Sequence, residues 1–61
     1  MEKLSVVSMA QIDFDKELGQ SIFEVYDEND KALKSGTYDE CIVFISKNNM
    51  TLEEVHKSDH N

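Results

Sequence analysis

The sequence predicts an α+β domain: a three-stranded antiparallel meander (β-β-β-α) with one helix on one face and a short C-terminal helical segment. Two observations support this fold class. Apolar and polar residues alternate through the first half of the chain, which is the period of a strand. After Gly36 the apolar spacing changes to that of a helix. With 61 residues, 39 % of them apolar, the chain is expected to form one small domain over residues 1–57.

The first strand is predicted from residue 3 to residue 14, because apolar side chains recur at every second position. The even positions form the more apolar set and are expected to face the helix: Leu4, Val6, Ala10, Ile12 and Phe14. This leaves Val7 and Met9 on the far face of the sheet. Residues 15–20 are polar and include Gly19, so they are expected to connect this strand to the next.

The second strand is predicted over residues 21–28, which are rich in β-branched and aromatic side chains that fit a pleated surface. A helix over residues 15–30 is the competing interpretation, since some apolar residues in that range also recur at helical spacing. Gly19 and the β-rich middle of the segment disfavour the helix. The strand interpretation is therefore preferred.

A hairpin turn is predicted at Asn29-Asp30, because these residue types tolerate positive φ. A two-residue turn at this place sets the register of the next strand pair. In that register Glu28 faces Lys31 and Tyr26 faces Leu33, which gives one opposite-charge pair and one apolar pair. The third strand is expected from Lys31 to about residue 35.

A helix is predicted to begin after Thr37, because Thr37 and Glu40 have the spacing of a capping box. Asp39 in the first turn and Lys47 in the last turn complement the helix dipole. Asn48-Asn49 is expected to end the helix. The apolar face is expected to contain Tyr38, Cys41, Ile42 and Ile45, with Phe44 on its flank.

A second capping signature, Thr51 followed by Glu54, predicts the short C-terminal helical segment. Residues 58–61 have no apolar anchor and are expected to form a disordered tail. His56 and His60 would share a helix face if this segment extended that far. A structural zinc site normally takes four protein ligands, however, so no metal site is predicted.

No motif for catalysis or cofactor binding is found in the sequence. Cys41 lies on the apolar face of the predicted helix, where a thiol behaves as a small hydrophobic residue. The acidic segment at residues 27–30 does not continue as a calcium loop, since Lys31 and Tyr38 fall at ligand positions. The protein is therefore expected to be no enzyme and to need no cofactor.

The charge of the chain indicates the chemistry of its partner. Thirteen acidic residues and six lysines give a formal charge of −7. This field repels phosphate backbones, so direct binding of nucleic acid is not expected, and it attracts a basic protein surface. The residues expected to contact that partner are Glu24, Asp27, Glu28 and Asp30 around the hairpin, and Asp39 and Glu40 on the first helical turn.

The predicted sheet carries more apolar surface than one helix can cover. A single helix packs on one face only, yet both faces are expected to carry large apolar side chains. On the second strand the two sets, Phe23 with Val25 and Ile22 with Tyr26, are almost equally apolar, and whichever set packs on the helix leaves the other exposed. The residues expected to form the interface of a homodimer are Val7, Met9, Ile22 and Tyr26. Coverage by a different protein, as in β-strand addition, is the alternative.

The sequence contains no recognisable signal peptide or membrane span, and its single cysteine cannot form an internal disulfide, so a cytoplasmic location is expected. In size and charge the chain resembles the small proteins that phages and other mobile elements produce to bind and block host factors. That resemblance carries over no residue. Together these features predict a non-catalytic inhibitor or regulator of a basic protein. The alternative is an assembly subunit that homo-oligomerises through an apolar sheet face.

Overall fold

The computed structural model describes residues 5–57, which form an α+β domain. Its elements are β1 (Val6–Asp15), β2 (Gln20–Tyr26), β3 (Ala32–Thr37), α1 (Tyr38–Lys47) and β4 (Thr51–His56). The strands form a four-stranded mixed sheet in the order β3-β2-β1-β4. The predicted three-stranded antiparallel meander is therefore wrong, although the α+β class is correct. The predicted tail at residues 58–61, including His60, and the predicted strand positions before residue 5 lie outside the described residues.

The error lies in β4, which was expected to be helical. The backbone N–H of Thr51 donates to the carbonyl oxygen of Ser5 at 2.8 Å, and β4 continues from there as a parallel partner of β1. A six-residue segment is too short to gain much from helix formation on its own. Pairing with β1 instead places Leu52 and Val55 against the core cluster.

The connection between β3 and β4 explains why one face of the sheet is covered. Strands β3 and β1 are each antiparallel to β2, and β4 is parallel to β1. Strands β3 and β4 therefore run in the same direction at opposite edges of the sheet. Helix α1 joins them by crossing over β2 and β1, so it lies on a single face.

The core lies between α1 and the central strands. Its buried residues are Val7, Met9, Phe23, Val25, Cys41 and Ile45. Val7 is 1 % exposed and Met9 is 0 % exposed. The prediction that these two residues lie on the far face of the sheet is therefore wrong. The burial of Cys41 and Ile45 confirms this part of the predicted inner face of the helix, whereas Tyr38, predicted on the same face, is 42 % exposed.

A β-bulge in β1 is the physical reason for this error. Gln11 pairs with Phe23, but the next pair is Asp13 with Ile22, so β1 holds one extra residue at this point. After a bulge, odd and even residues of the strand exchange the faces of the sheet to which they point. The apolar residues of the even set that lie beyond it, such as Phe14, are thus out of phase with those before it.

The strand interpretation of β2 is confirmed, but the predicted register of its hairpin is wrong. Tyr26 pairs with Ala32 rather than with Leu33. The Asp27 side chain accepts from the backbone N–H groups of Asn29 and Lys31 at 2.8 and 2.9 Å, which closes a longer loop. Asp30 takes the positive φ of 64° that this loop requires.

Both ends of α1 are as predicted. The Thr37 hydroxyl accepts from the Glu40 backbone N–H, and the Glu40 carboxylate accepts from the Thr37 backbone N–H at 3.0 Å. At the other end, Asn49 has a φ of 55° and its N–H reaches the carbonyl of Ser46. The Met50 N–H reaches the carbonyl of Ile45, which completes a Schellman motif.

Candidate binding surface

The face of the sheet opposite α1 is not covered by the helix, and we call it the open face. Its members follow from the register, since paired residues point to the same side of a sheet and neighbours along a strand to opposite sides. They alternate with the buried residues of β1 and β2. Apart from the Asp15–Gln20 pair, which borders the turn between β1 and β2, the open face consists of Val6, Ser8, Ala10, Asp13, Ile22, Glu24, Tyr26, Ala32, Ser35, Thr37, Thr51, Glu54 and His56.

Four apolar residues form a continuous stripe along the middle of the open face. Tyr26 pairs with Ser8, so it lies diagonally between Val6 and Ala10 on the neighbouring strand. Ala10 pairs with Glu24, which places Ile22 on the next diagonal. Diagonal neighbours in a sheet are about 7–8 Å apart, within reach of large side chains. All four stripe residues are half-buried within the single chain.

A hydrogen bond fixes the polar group at the centre of this stripe. The Tyr26 hydroxyl donates to the Glu24 carboxylate at 2.5 Å. This bond raises the pKa of Tyr26 above its ordinary value, with smaller contributions from burial and from the charge of Glu24. The Glu24 carboxylate is therefore held in place beside the aromatic ring.

The charges on the open face are of one sign. It carries the carboxylates of Asp13, Glu24 and Glu54, and among the described residues it carries no lysine. Glu54 lies 3.3 Å from the imidazole of His56, which is a salt bridge only when that ring is protonated. Lys34 pairs with Val25 and so lies on the side of the sheet that α1 covers.

The acidic residues predicted to bind a partner are not brought together. Glu24 lies on the open face, whereas Asp27, Glu28 and Asp30 lie in the loop after β2. Asp39 and Glu40 begin α1 at the opposite end of the sheet, because the preceding Thr37 pairs with Ile22. Ile22 and Tyr26 are four positions apart along β2, which corresponds to roughly 13 Å of strand.

Two of these predicted residues have structural roles, of which the capping role of Glu40 was predicted and the loop-closing role of Asp27 was not. The Asp27 carboxylate closes the β2–β3 loop, and the Glu40 carboxylate is part of the capping box. Glu28, Asp30 and Asp39 remain exposed. Of the four predicted interface residues, Ile22 and Tyr26 lie on the open face, while Val7 and Met9 belong to the core.

A second exposed apolar region was not anticipated. The hairpin of β1 and β2 carries Ile12, Phe14 and Leu18, which are 49 %, 50 % and 58 % exposed, and we call this region the β1–β2 arm. Its turn is closed by the Asp15 carboxylate, which accepts from the N–H groups of Glu17 and Leu18. Ile12 and Phe14 had been expected to face the helix. The signal that could have found the arm is Leu18, an apolar residue within a polar connecting segment.

Two concave regions lie on the helix side. A groove of about 530 Å³ between α1 and β3 contains both signs of charge and is lined by Lys34, Asp39, Glu40, Val43, Phe44, Lys47 and Asn48. A notch of about 340 Å³ contains Gln11, Ser21 and Lys57. Its aromatic wall is Tyr38 packed edge-on against Phe23, with ring centres 5.4 Å apart. Neither region concentrates one sign of charge.

The single cysteine is a packing residue. Cys41 is 0 % exposed, and its Sγ lies 3.5 Å from the carbonyl oxygen of Phe23 and 3.8 Å from that of Gly36. Burial raises the pKa of its thiol; nearby Lys34 opposes this effect, and Glu40 and Glu24 add to it. A thiol in this environment is a poor nucleophile.

Within residues 5–57, no group of three or more His, Cys, Asp or Glu side chains is arranged to hold a metal ion. In the same range, no helix has the length and apolar character needed to cross a membrane. No family model, no curated protein and no solved structure matches this chain.

Proposed function

We propose that this chain is a non-catalytic protein-binding module that inhibits or regulates a basic protein through its open face. The observation that supports the proposal is the combination of an uncovered apolar stripe with three carboxylates and, among the described residues, no lysine on the same face. Apolar area supplies affinity, and single-sign charge supplies selectivity and a fast encounter. The proposal includes a cytoplasmic location, in keeping with a single, buried cysteine.

The test is capture of partners from the native host on immobilised chain, with three matched baits. Wild type is compared with Glu24→Lys, which reverses one charge on the open face, and with Glu28→Lys, which makes the same change in the β2–β3 loop. We expect a basic protein to bind wild type and Glu28→Lys but not Glu24→Lys. We also expect binding to weaken as salt is raised. Equal capture by all three baits, at all salt concentrations, would exclude this function.

A second candidate function is that of an assembly subunit, and the β1–β2 arm favours it. Three large apolar side chains that are each about half exposed on one hairpin are a typical site of self-association. Light scattering of the purified chain tests this directly. A dimer mass that reverts to the mass of one copy in Phe14→Ser, but not in Val43→Ser on the exposed side of α1, would support it. A single-copy mass for wild type would reject it.

A further inference from the structure

The shape of the open face matches a helix. Its apolar stripe, from Val6 to Ile22, runs along the two central strands for roughly 20 Å. The other side of the same strands already shows how a helix packs on this sheet. There α1, with ten residues and a length of about 15 Å, buries Cys41 and Ile45 against Phe23 and Val25. A second helix of similar length on the open face would complete a three-layer arrangement.

The charge of the open face selects a basic helix. Asp13, Glu24 and Glu54 surround the stripe without a lysine among the described residues of that face. A second copy of this chain would bring the same three carboxylates against its own. Like charges brought together as water is excluded oppose association, so a second copy fits poorly. Lysine or arginine side chains flanking an apolar helix face would instead pair with them.

The edges of the sheet disfavour the addition of a strand. At one edge, β4 has an irregular register with Glu53 as its extra residue. At the other edge, β3 has Leu33 as an extra residue beside Lys34. Bulges and charged side chains are devices that keep an edge strand from pairing with another chain. The open face is therefore a more favourable binding surface for a partner than either edge of the sheet.

We infer that the open face binds an amphipathic helix of another protein, with an apolar stripe of about three turns flanked by lysine or arginine. This inference rests on the proposed function and specifies the structure of the partner. The apolar side of that helix packs on Tyr26, Ala10 and Ile22. Its basic flanks pair with Glu24 and Glu54.

The test uses three synthetic peptides of identical composition, each with 18 residues of leucine and lysine. The first has leucines at helical spacing, the second has leucines at alternate positions, and the third has them scrambled. Each is titrated into the full chain labelled with ¹⁵N, and the backbone amide shifts are followed. We expect the helical peptide to bind at least about tenfold more tightly than the other two. The largest shifts should occur at Ala10, Ile22 and Tyr26.

Two variants of the open face and one control variant outside it locate the binding site. We expect Glu24→Lys to weaken binding of the helical peptide by about tenfold, and the matched Glu28→Lys change outside the face to weaken it by less than about threefold. Ile22→Ser should also weaken binding. Each variant is first compared with wild type by amide spectrum, so that a folding defect is recognised. Glu24→Lys adds no buried group and keeps the test valid if Ile22→Ser unfolds.

Three results would overturn the inference. These are equal binding of all three peptides, shifts centred on the β1–β2 arm or on α1, and no binding of any peptide. The capture experiment distinguishes this failure from a failure of the proposed function. If Glu24→Lys loses a host protein but the helical peptide does not bind, the function stands and the helical partner is wrong. If capture does not depend on Glu24, the function itself is wrong.

Discussion

The two faces of the sheet differ in whether the chain itself covers them. Helix α1 covers one face, where Val7, Met9 and Val25 are each at most 1 % exposed. On the other face the large side chains of Ile22 and Tyr26 remain only half-buried. The strands that supply both faces are the same, so strand composition alone does not decide which face is covered. The path of the β3–α1–β4 connection decides it.

The two faces also contribute differently to the stability of the fold and to binding. Burial within the chain stabilises the fold, and the covered face supplies most of it. Apolar area that is left half-buried contributes less to folding and remains available for association. Substitutions on the covered face should therefore lower the stability of the fold, whereas substitutions on the open face should mainly weaken binding.

The largest effect is expected for Met9→Ala on the covered face. Removing a fully buried Met side chain leaves a cavity and typically lowers the free energy of unfolding by about 2–5 kcal/mol. Ile22→Ala on the open face removes a half-buried side chain and should lower it by about 1 kcal/mol. Urea denaturation of the two variants and wild type measures both values. Equal losses would show that something covers the open face in solution.

The covered face should also protect Cys41 from thiol reagents. Because its Sγ is buried and its thiol pKa is raised, modification requires the chain to open. With an unfolding free energy of about 3 kcal/mol, the rate should be roughly a hundredfold below that of the urea-unfolded chain. Ser46→Cys, at an exposed position of the same helix, provides the control and should react rapidly. Native Cys41 reacting as fast as this control would contradict the assignment.

Much of the fold could be predicted from short-range signals. The Thr37 capping box and the stop at Asn48-Asn49 fix α1 through hydrogen bonds between near neighbours, and both predictions are confirmed. The strand character of β2 followed from its β-branched and aromatic residues and is also confirmed. These signals depend on a few adjacent residues, so the sequence alone carries them.

The features that the sequence did not reveal depend on distant pairing. The bulge between Gln11 and Asp13 reverses the face of β1, and no residue type in that segment marks it. Thr51 and Glu54 carry a capping signature that is overridden because the edge of β1 offers a parallel partner to β4. Whether any of the four predicted interface residues contacts a partner stays a prediction, and the structure decides only which side of the sheet each occupies. Ile22 and Tyr26 lie on the open face, whereas Val7 and Met9 were assigned to the wrong side.

A smaller effect is expected where the helix that covers one face begins. Thr37→Ala removes the hydroxyl that accepts from the Glu40 N–H and should lower the free energy of unfolding by about 1 kcal/mol. Thr37→Ser retains the hydroxyl and should restore most of the loss. Thermal or urea unfolding of both variants measures this difference. No difference between Ala and Ser would mean that the cap contributes nothing to the covered face.

The smallest effect is expected at the polar centre of the open face. The Tyr26 hydroxyl has a raised pKa chiefly because it donates to Glu24. Glu24→Ala removes the carboxylate that accepts this hydrogen bond, so the pKa of Tyr26 should fall toward its ordinary value, as measured by ultraviolet titration of tyrosinate against Tyr26→Phe. Because the folded pKa is raised, this bond stabilises the fold below the unfolded pKa, and its contribution is lost as pH rises through the folded value. An unchanged Tyr26 titration in Glu24→Ala would mean that the Tyr26 and Glu24 side chains are not bonded in solution. The open face would then lack the fixed carboxylate on which its selectivity for a basic partner depends.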